Sequence, residues 1–588
     1  MKQFFKFTLA VICGLLIWGV IKLFIFIGVI GSLGASSAGT TVAKPHSVYE
    51  LELRGSVVEY QDEKDRMTTS MMQALDNEEY VVYGLNEILA NIRKAKNDPN
   101  VDGIYLHGGN MQMGYATAQT LHEALLDFRK SGKFVIAYAD SYAQKNYYVA
   151  TAADKVFVNP DGVIGWAGMG LTLSFYTKML EKLGVEMQVV KVGTFKSAVE
   201  PFIRTDMSEP NRLQYTMLLN DIWQKVCADV SAARMLSEQT LNELADRNMT
   251  YAQQEEYVIH DMVDGLCYVQ DVDSMLAELT GTDDYELLDY DGMIGLITSD
   301  KPQKNKVAIL YAEGDITDDQ GDGIVGKKMV KTIGDIMDED DVKAVVFRIN
   351  SGGGSAYASE QINHAISLLK KDKPVVVSMG DYAASGGYYI ACNANYIFAE
   401  PTTLTGSIGI FGLIPNVKGV REKVGLTIDG VQTHKHANMQ SNIIMQGMNA
   451  EERQKMQCMI DRGYELFTRR CAEGRGISQD SIKVIGEGRV WSGTKALEIG
   501  LVDELGSLQN AIAKAAELAG LEQYELAEYP EPDDMWEQLL EAFGSSARIE
   551  RTLERAIGSE HYQSIRYMER LAAEPSVQAR LPYYIEVE

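Results

Sequence analysis

The chain repeats itself, and the repeat limits what it can fold into more than any other feature. GKFVIAYADSYAQKNYYVATAADKVFVNPDGVIGWAGMGL (132–171) returns as DKPVVVSMGDYAASGGYYIACNANYIFAEPTTLTGSIGIFG (372–412), with Asp140 on Asp381 and Tyr147-Tyr148 on Tyr388-Tyr389, an offset of 241 residues. Flanking pieces keep the same order. NDPNVDGIYLHGG (97–109) parallels DEDDVKAVVFRIN (338–350), EKLGV (181–185) parallels EKVGL (422–426), and MVDGL (262–266) parallels LVDEL (501–505). VYELELRGSVVEY (48–60) and VAILYAEGDITDD (307–319) form a looser pair. Duplication and fusion is the economical explanation, so a fold assigned to one half must suit the other. At 588 residues the chain also exceeds one ordinary core, and two or three domains are expected.

Each half alternates short β-branched runs (KAVVFRIN, PVVVSM, NYIFAEP) with helix-like stretches (SAYASEQINHAISLLKK, AEERQKMQCMIDRGYELFTRRCAE). That alternation predicts an α/β fold with a largely parallel sheet. Polar SDKPQKNK (299–306), containing Pro302, reads as the linker between the halves. Beyond about Glu522 the C-terminal half carries a segment that reads as a helical, acidic tail closing with LPYYIEVE. The expected organisation is 1–45 as cytoplasmic tip, transmembrane anchor and linker, 46–300 as the first repeat, and 301–588 as the second repeat with its tail.

The N-terminus carries Lys2 and Lys6 before an apolar stretch from about Phe7 to Leu33, interrupted by Lys22. Crossing a bilayer takes ~20 residues, whereas a cleavable signal has an apolar centre of ~7–15, so a retained anchor is expected. GASSAG (34–39) is the alternative, a cleavage site. Lysines before the span and none after it until Lys44 put the body outside the cytoplasm. With 82 acidic and 55 basic residues the formal charge is −27, which argues against nucleic acid as a partner. The six cysteines show neither CxxC nor metal-ligand spacing.

Where the copies differ, chemistry has room to reside. Ser385, Gly386 and Gly387 stand where the first copy has Gln144, Lys145 and Asn146, so the fold itself does not require Ser-Gly-Gly. Ser385 falls between a strand end and a helix start, a place that suits either an N-cap or a nucleophile facing unpaired N–H groups. RINSGGGSAYASE (348–360) is a second glycine turn, missing from the first copy, and with Ser385 it suggests an oxyanion hole from Gly386 and Gly353 or Gly354. For the base, His434 and His436 are the histidines of the second half able to serve, ahead of His364 and His561. The other choice is a lysine whose pKa falls from ~10.4 by burial, and Lys196, beside Phe195, Ala198, Val199 and Phe202, is that candidate.

GTFKSAVEPFIRTDMS (193–208), RINSGGGS (348–355), GDYAASGGYYIAC (380–392), TGSIGIFG (405–412) and GRVWSGTKALEIGLVDELG (488–506) together resemble the signal peptide peptidase A family, also called protease IV, in its long membrane-anchored form. The resemblance implies tandem ClpP/crotonase-like domains and a Ser-Lys dyad, with Ser385 as nucleophile and Lys196 as general base. It also implies that Ser407 orients the lysine and that Gly386 with Gly353 or Gly354 holds the oxyanion. The family usually has SPGG where this chain has SGGG, so Gly352 costs the loop some rigidity. Short relatives carry the lysine after the serine, and THKHA (433–437) makes Lys435 a rival base. The expectation is a serine endopeptidase of the bacterial plasma membrane, a homotetramer with its body on the extracytoplasmic side. It degrades cleaved signal peptides and other small hydrophobic peptides without metal or organic cofactor. A crotonase-like acyl-CoA enzyme and a non-catalytic membrane scaffold are the alternatives.

Overall fold

The computed structural model describes residues 42–62, 65–66, 81–296, 303–321, 323–530 and 578–581. The expected anchor and His561 lie outside these residues, as does half of the expected linker, 299–302. No helix among the described residues is long and apolar enough to cross a membrane.

Val375, Val376, Val377 and Met379 are fully buried. Continuous apolar runs of this kind form strands covered on both faces, the environment of a parallel sheet. The first half builds six parallel strands in the order Gly265–Leu266, Lys155–Val158, Phe134–Ala139, Val101–His107, Ser47–Glu52, Glu286–Leu288. The second half builds the same order from Glu504–Leu505, Tyr396–Ala399, Val375–Ala384, Val342–Ser351, Lys306–Glu313 and Glu525–Tyr529. It adds Leu404–Gly406, parallel to the end of Val375–Ala384, and Val490–Ser492, antiparallel to that addition.

Helices obey the repeat as well. Leu85–Asn97 corresponds to Gly326–Asp338, Tyr115–Arg129 to Ala356–Leu369, and Glu209–Arg234 to Ala450–Arg475. In Ala450–Arg475 the Asn449 side chain accepts the first free N–H groups, Glu452 answers back to the cap, and Gly476 ends the helix in a left-handed turn. Met456, Ile460, Phe467 and Cys471 line its buried face.

The expected helical tail is wrong at its start. Glu525–Tyr529 is a strand, parallel to Lys306–Glu313, and takes the place that Glu286–Leu288 holds in the first half. YELLDY (285–290) and YELAEY (524–529) are thus one more piece of the repeat. Glu, Leu and Ala favour helix by only a few tenths of a kcal/mol each, roughly, and an open sheet edge outweighs that. Gln578–Arg580, also in the tail, is a strand too.

A third sheet joins the halves, in the order Ile324–Val325, Ile316–Thr317, Gly353–Ser355, Gln578–Arg580, Phe411–Asn416, Glu186–Lys191. Its last pairing runs between halves: Glu186–Lys191 of the first lies antiparallel to Phe411–Asn416 of the second over six residue pairs. That seam carries the chain from Lys191 toward Lys196 across the boundary.

Polar contacts fix the docking. Asp381, near the end of Val375–Ala384, accepts the N–H groups of Ala116 (2.8 Å) and Thr117 (3.0 Å) and the Thr117 hydroxyl (2.7 Å), so it caps a helix of the other half. Gly114 is required there, because a Cβ would lie 2.1 Å from that carboxylate. Buried Arg348 forks onto buried Glu59 of the first half at 2.8 and 3.1 Å.

Candidate active site

The strand Val375–Ala384 ends at Ser385 and the helix Gly386–Ala391 begins one residue later. Between them Ser385 takes φ 56° and ψ −113°. A non-glycine residue held there costs ~1–3 kcal/mol, and such strain gathers at functional sites. The Ser385 N–H donates to Gly406 O at 2.8 Å, which pins the turn. Its hydroxyl makes no cap to the following helix, so the N-cap alternative does not explain the residue.

Lys196 reaches this hydroxyl from 189 positions upstream, with Nζ 2.8 Å from Ser385 Oγ. Nζ also donates to Ser407 Oγ at 3.0 Å and to Ser407 O at 3.2 Å. All three residues are buried. Burial alone drives the Lys196 pKa well below the ordinary lysine range. A neutral amine has two protons and one lone pair. With both protons on Ser407, such an amine would turn its lone pair to Ser385 Oγ.

Glycines make room for the lysine. A Cβ on Gly488, whose φ is +75°, would lie 2.6 Å from Lys196 Cβ, and one on Gly409 would lie 3.3 Å from its Cδ. The loop carrying Lys196 is held from behind. Phe195 N–H donates to Glu487 O at 2.9 Å, Gln214 Nε2 donates to Ser197 Oγ at 2.9 Å, and Glu200 accepts from Asn211 Nδ2 at 3.0 Å. The residues around Lys196 in the sequence motif are therefore scaffold for one amine.

Gly353 and Gly354 form a short strand facing the start of the helix after Ser385. Gly353 lies so close that a Cβ on it would meet Gly386 N at 2.6 Å. The Gly353 N–H is taken by Ser351 Oγ at 3.1 Å, which singles out Gly354 and Gly386 as the amides able to meet a carbonyl oxygen.

The rival bases are elsewhere. Lys435, its side chain 71% exposed, pairs with Glu451. His436 meets the same carboxylate at 2.8 Å, His434 bonds Thr433, and His364 is exposed on its helix. The first half's counterpart of the site is filled by structural bonds. Gln144 holds Tyr115 OH (2.9 Å) and Gly168 O (3.0 Å), and Asn146 binds both the N–H and the carbonyl of Met111. Among the described residues no group of three or more His, Cys, Asp or Glu is arranged to hold a metal ion.

Asp381 and the strand Gln578–Arg580 went unassigned in the sequence reading. Asp381 stood out only as a repeat anchor, and three residues of strand carry no periodicity.

The chain matches Peptidase family S49 twice, over residues 127–283 and 367–522, once in each half. It is 36% identical over 478 residues to "Protease 4" of Salmonella typhi, covering 79% of this chain and 76% of that protein. To "Protease 4" of Haemophilus influenzae it is 32% identical over 560 residues, covering 89% and 88%. To "Serine protease SPPA, chloroplastic" of Arabidopsis thaliana it is 30% identical over 487 residues, covering 80% and 71%. Among solved structures, a ClpP1 mutant of Listeria monocytogenes matches at 18% identity and a TM-score of 0.25, over 35% of this chain and 94% of that one.

Proposed function

Because the chain belongs to peptidase family S49 and is a serine-type peptidase, we propose that it works through a Ser-Lys dyad assembled from its two halves. Ser385 is the nucleophile and Lys196 the general base. The observation that carries this is the 2.8 Å contact between Lys196 Nζ and Ser385 Oγ, inside a pocket whose burial drives the amine's pKa well below the ordinary lysine range.

In the reaction, the Lys196 lone pair takes the Ser385 proton as Oγ attacks the scissile carbonyl. The amides of Gly386 and Gly354, with Gly353 supplying the close approach, meet the developing oxyanion. The Lys196 ammonium, held by Ser407, then protonates the leaving amine, and the acyl-enzyme forms. A water molecule, deprotonated by the same amine, releases the acid product and restores Ser385.

Each half is read as a ClpP/crotonase-like unit, with bounds 46–300 and 301–588 after an anchor and linker at 1–45. The twofold use of one parallel strand order supports this. The substrates are cleaved signal peptides and other short apolar peptides, paired in extended form. The site is carried on a single-pass anchor at the extracytoplasmic face of the bacterial plasma membrane. Assembly is as a homotetramer, supported by Val424, at the end of the helix Lys418–Val424, and by Leu426 and Val431 just after it, 72%, 54% and 95% exposed. An acyl-CoA enzyme or a scaffold gives no reason for a buried lysine on Ser385.

The test is hydrolysis of an internally quenched apolar peptide. Ser385→Ala and Lys196→Ala abolish it while Lys435→Ala retains it. The opposite result for the two lysines overturns the assignment of the base.

A further inference from the structure

The turn between Tyr396–Ala399 and Leu404–Gly406 reaches across to the first half, and a buried acid stands on it. Glu400 is 1% exposed and lies against the helix Tyr115–Arg129. Its Oε2 accepts from Gln119 Nε2 at 3.1 Å, and its Oε1 lies 3.0 Å from Thr120 Oγ1. The hydrogens here can be assigned. Gln119 Nε2 gives its second N–H to Glu123 Oε1 at 2.9 Å, and Gln119 Oε1 accepts from Thr402 Oγ1 at 3.0 Å. Thr120 Oγ1 also lies 2.9 Å from Ala116 O, one helical turn back. A hydroxyl has a single hydrogen, whereas a carbonyl and a carboxylate can only accept. Both Thr120 contacts are hydrogen bonds together only when Glu400 carries a proton on Oε1. The acid then donates to Thr120, and the Thr120 hydroxyl donates to Ala116 O.

The surrounding charges favour the same state. Glu123 faces Glu400 from the helix of Thr120, Arg348 from Val342–Ser351 and Lys225 from Glu209–Arg234. Both cations are engaged elsewhere, Arg348 with Glu59 at 2.8 Å and Lys225 with Asp229 at 2.7 Å. Tyr148, on Gln144–Ala150, also faces Glu400 and donates its hydroxyl to Asp229 at 2.6 Å, while Asp381 shares the field of Arg348. Burial, followed by the Glu123 charge, pushes the Glu400 carboxyl up to about 8. The first copy has Asn159 at the matching position, a side chain that does not ionise.

What Glu400 anchors is the turn that builds the site. Its N–H donates to Thr403 Oγ1 at 3.0 Å, and that hydroxyl donates at 2.8 Å to Gly380 O, in the strand that ends at Ser385. Gly493 closes over the turn, where a Cβ would meet Glu400 O at 1.9 Å. Past Thr403 the chain pairs with the end of Val375–Ala384 as Leu404–Gly406. It then presents Gly406 O to the Ser385 N–H and Ser407 to Lys196 Nζ.

We propose that Glu400 is a positioning residue that holds the dyad in register as a neutral acid, through its hydrogen bond to Thr120 across the halves, and releases it on ionisation at alkaline pH. The reading rests on the dyad assigned above. Loss of the proton leaves the Thr120 hydroxyl with one hydrogen for two acceptors and places a buried negative charge beside Glu123. An unpaired buried carboxylate is costly, so it turns toward water. The turn 400–403 moves with it and draws Gly406 and Ser407 away from Ser385 and Lys196. Activity that has levelled off once Lys196 is neutral then falls again.

The experiment measures kcat/KM of the full-length chain in detergent on the quenched apolar peptide, from about pH 6 to 10. The wild type falls on the alkaline side by about tenfold per pH unit once Glu400 ionises, and recovers on return to neutral pH. Glu400→Gln, whose amide donates to Thr120 and accepts from Gln119 at every pH, matches the wild type at neutral pH and lacks the fall. Glu123→Gln removes the facing charge and moves the fall to lower pH. Glu313→Gln keeps the fall. A wild type without a reversible alkaline fall overturns the proposal, as does a fall that Glu400→Gln retains, that Glu123→Gln leaves in place or that Glu313→Gln abolishes. A merely structural Glu400 would alter the stability of these variants and leave the pH of the fall where it was. If Ser385→Ala still hydrolyses the peptide, the dyad reading is overturned, and this one with it.

Discussion

Ser407 accepts twice from Lys196 Nζ, through its hydroxyl at 3.0 Å and its own carbonyl at 3.2 Å. The hydroxyl in turn donates to Gly488 O at 3.4 Å, so the contact is directional. Ser407→Ala leaves the carbonyl and removes the hydroxyl, which lets the amine rotate its lone pair away from Ser385. A lost hydrogen bond to such a group is worth about 1–1.5 kcal/mol, hence a kcat for peptide hydrolysis lower by roughly tenfold. KM stays unchanged, because Ser407 acts on the base. Steady-state kinetics that show a raised KM at constant kcat would assign Ser407 to substrate binding instead.

As the proposed base, Lys196 also sets the expected pH behaviour. Burial is the cause of its lowered pKa. Activity needs the neutral amine, so kcat/KM rises with pH through that lowered value and levels off well below the ordinary lysine range. Stability moves the same way. The unfolded chain keeps the Lys196 proton up to about pH 10.4, and the folded pocket releases it at lower pH. Between the two, the unfolded state binds more protons, so stability rises with pH there. Below the folded value the cost of burial is full and constant, and above the unfolded value it is gone. Measured by denaturant unfolding, the stability of the wild type relative to Lys196→Met climbs by about 1.4 kcal/mol per pH unit inside that window. A flat difference from roughly pH 7 to 11 would mean that the lysine is solvated.

Much of this was legible in the sequence because duplication supplied its own control. The loss of Ser-Gly-Gly from one copy separated Ser385 from the turn that holds it, and the intact motif around Lys196 marked it over Lys435. The joining of the two residues was not legible, since it depends on Glu186–Lys191 pairing with Phe411–Asn416 across more than two hundred residues of chain. Glu525–Tyr529 was misread because a five-residue strand of helix-favouring residues owes its conformation to the edge of Lys306–Glu313. The strand Gln578–Arg580 was missed for the same reason: its neighbours specify it, and its own composition does not.

Asp381 carries a prediction about how the halves hold together. Its carboxylate takes the place of a capping side chain for Tyr115–Arg129, whose own N-cap, Gly114, has none. Asp381→Ala removes three acceptor contacts at once. The expected loss is about 1–2 kcal/mol, the range for a missing N-cap, read as a lower denaturant midpoint at unchanged slope. Asp140→Ala is the comparison at the matching position. Asp140 meets Tyr138 OH at 2.8 Å and Asn159 Nδ2 at 3.0 Å, both within its own half. Equal losses from the two substitutions would remove the inter-half cap as the explanation.

The Glu59–Arg348 pair is the deeper of the two links, with the side chains 3% and 1% exposed. Arg348 Nη1 donates to Ser378 Oγ (2.9 Å) and Met379 O (3.0 Å), in the strand that leads to Ser385. Close by, the Glu59 N–H donates to Glu313 Oε2 at 2.9 Å, and burial, followed by the Glu59 charge, pushes the Glu313 carboxyl up to about 8. Glu313 is therefore pushed toward its protonated form, and Glu59 is the partner whose charge Arg348 balances. Arg348→Met strands that charge in the interior and is expected to cost about 3–5 kcal/mol. Adding Glu59→Gln removes the charge, so the double variant recovers most of the loss. The pair then specifies how the halves dock and contributes little net stability. Denaturant unfolding of the wild type, Arg348→Met and the double variant reads this directly. If the double variant is as unstable as the single one, Arg348 stabilises through its bonds to Ser378 and Met379, and peptide hydrolysis, which depends on where that strand delivers Ser385, falls equally in both.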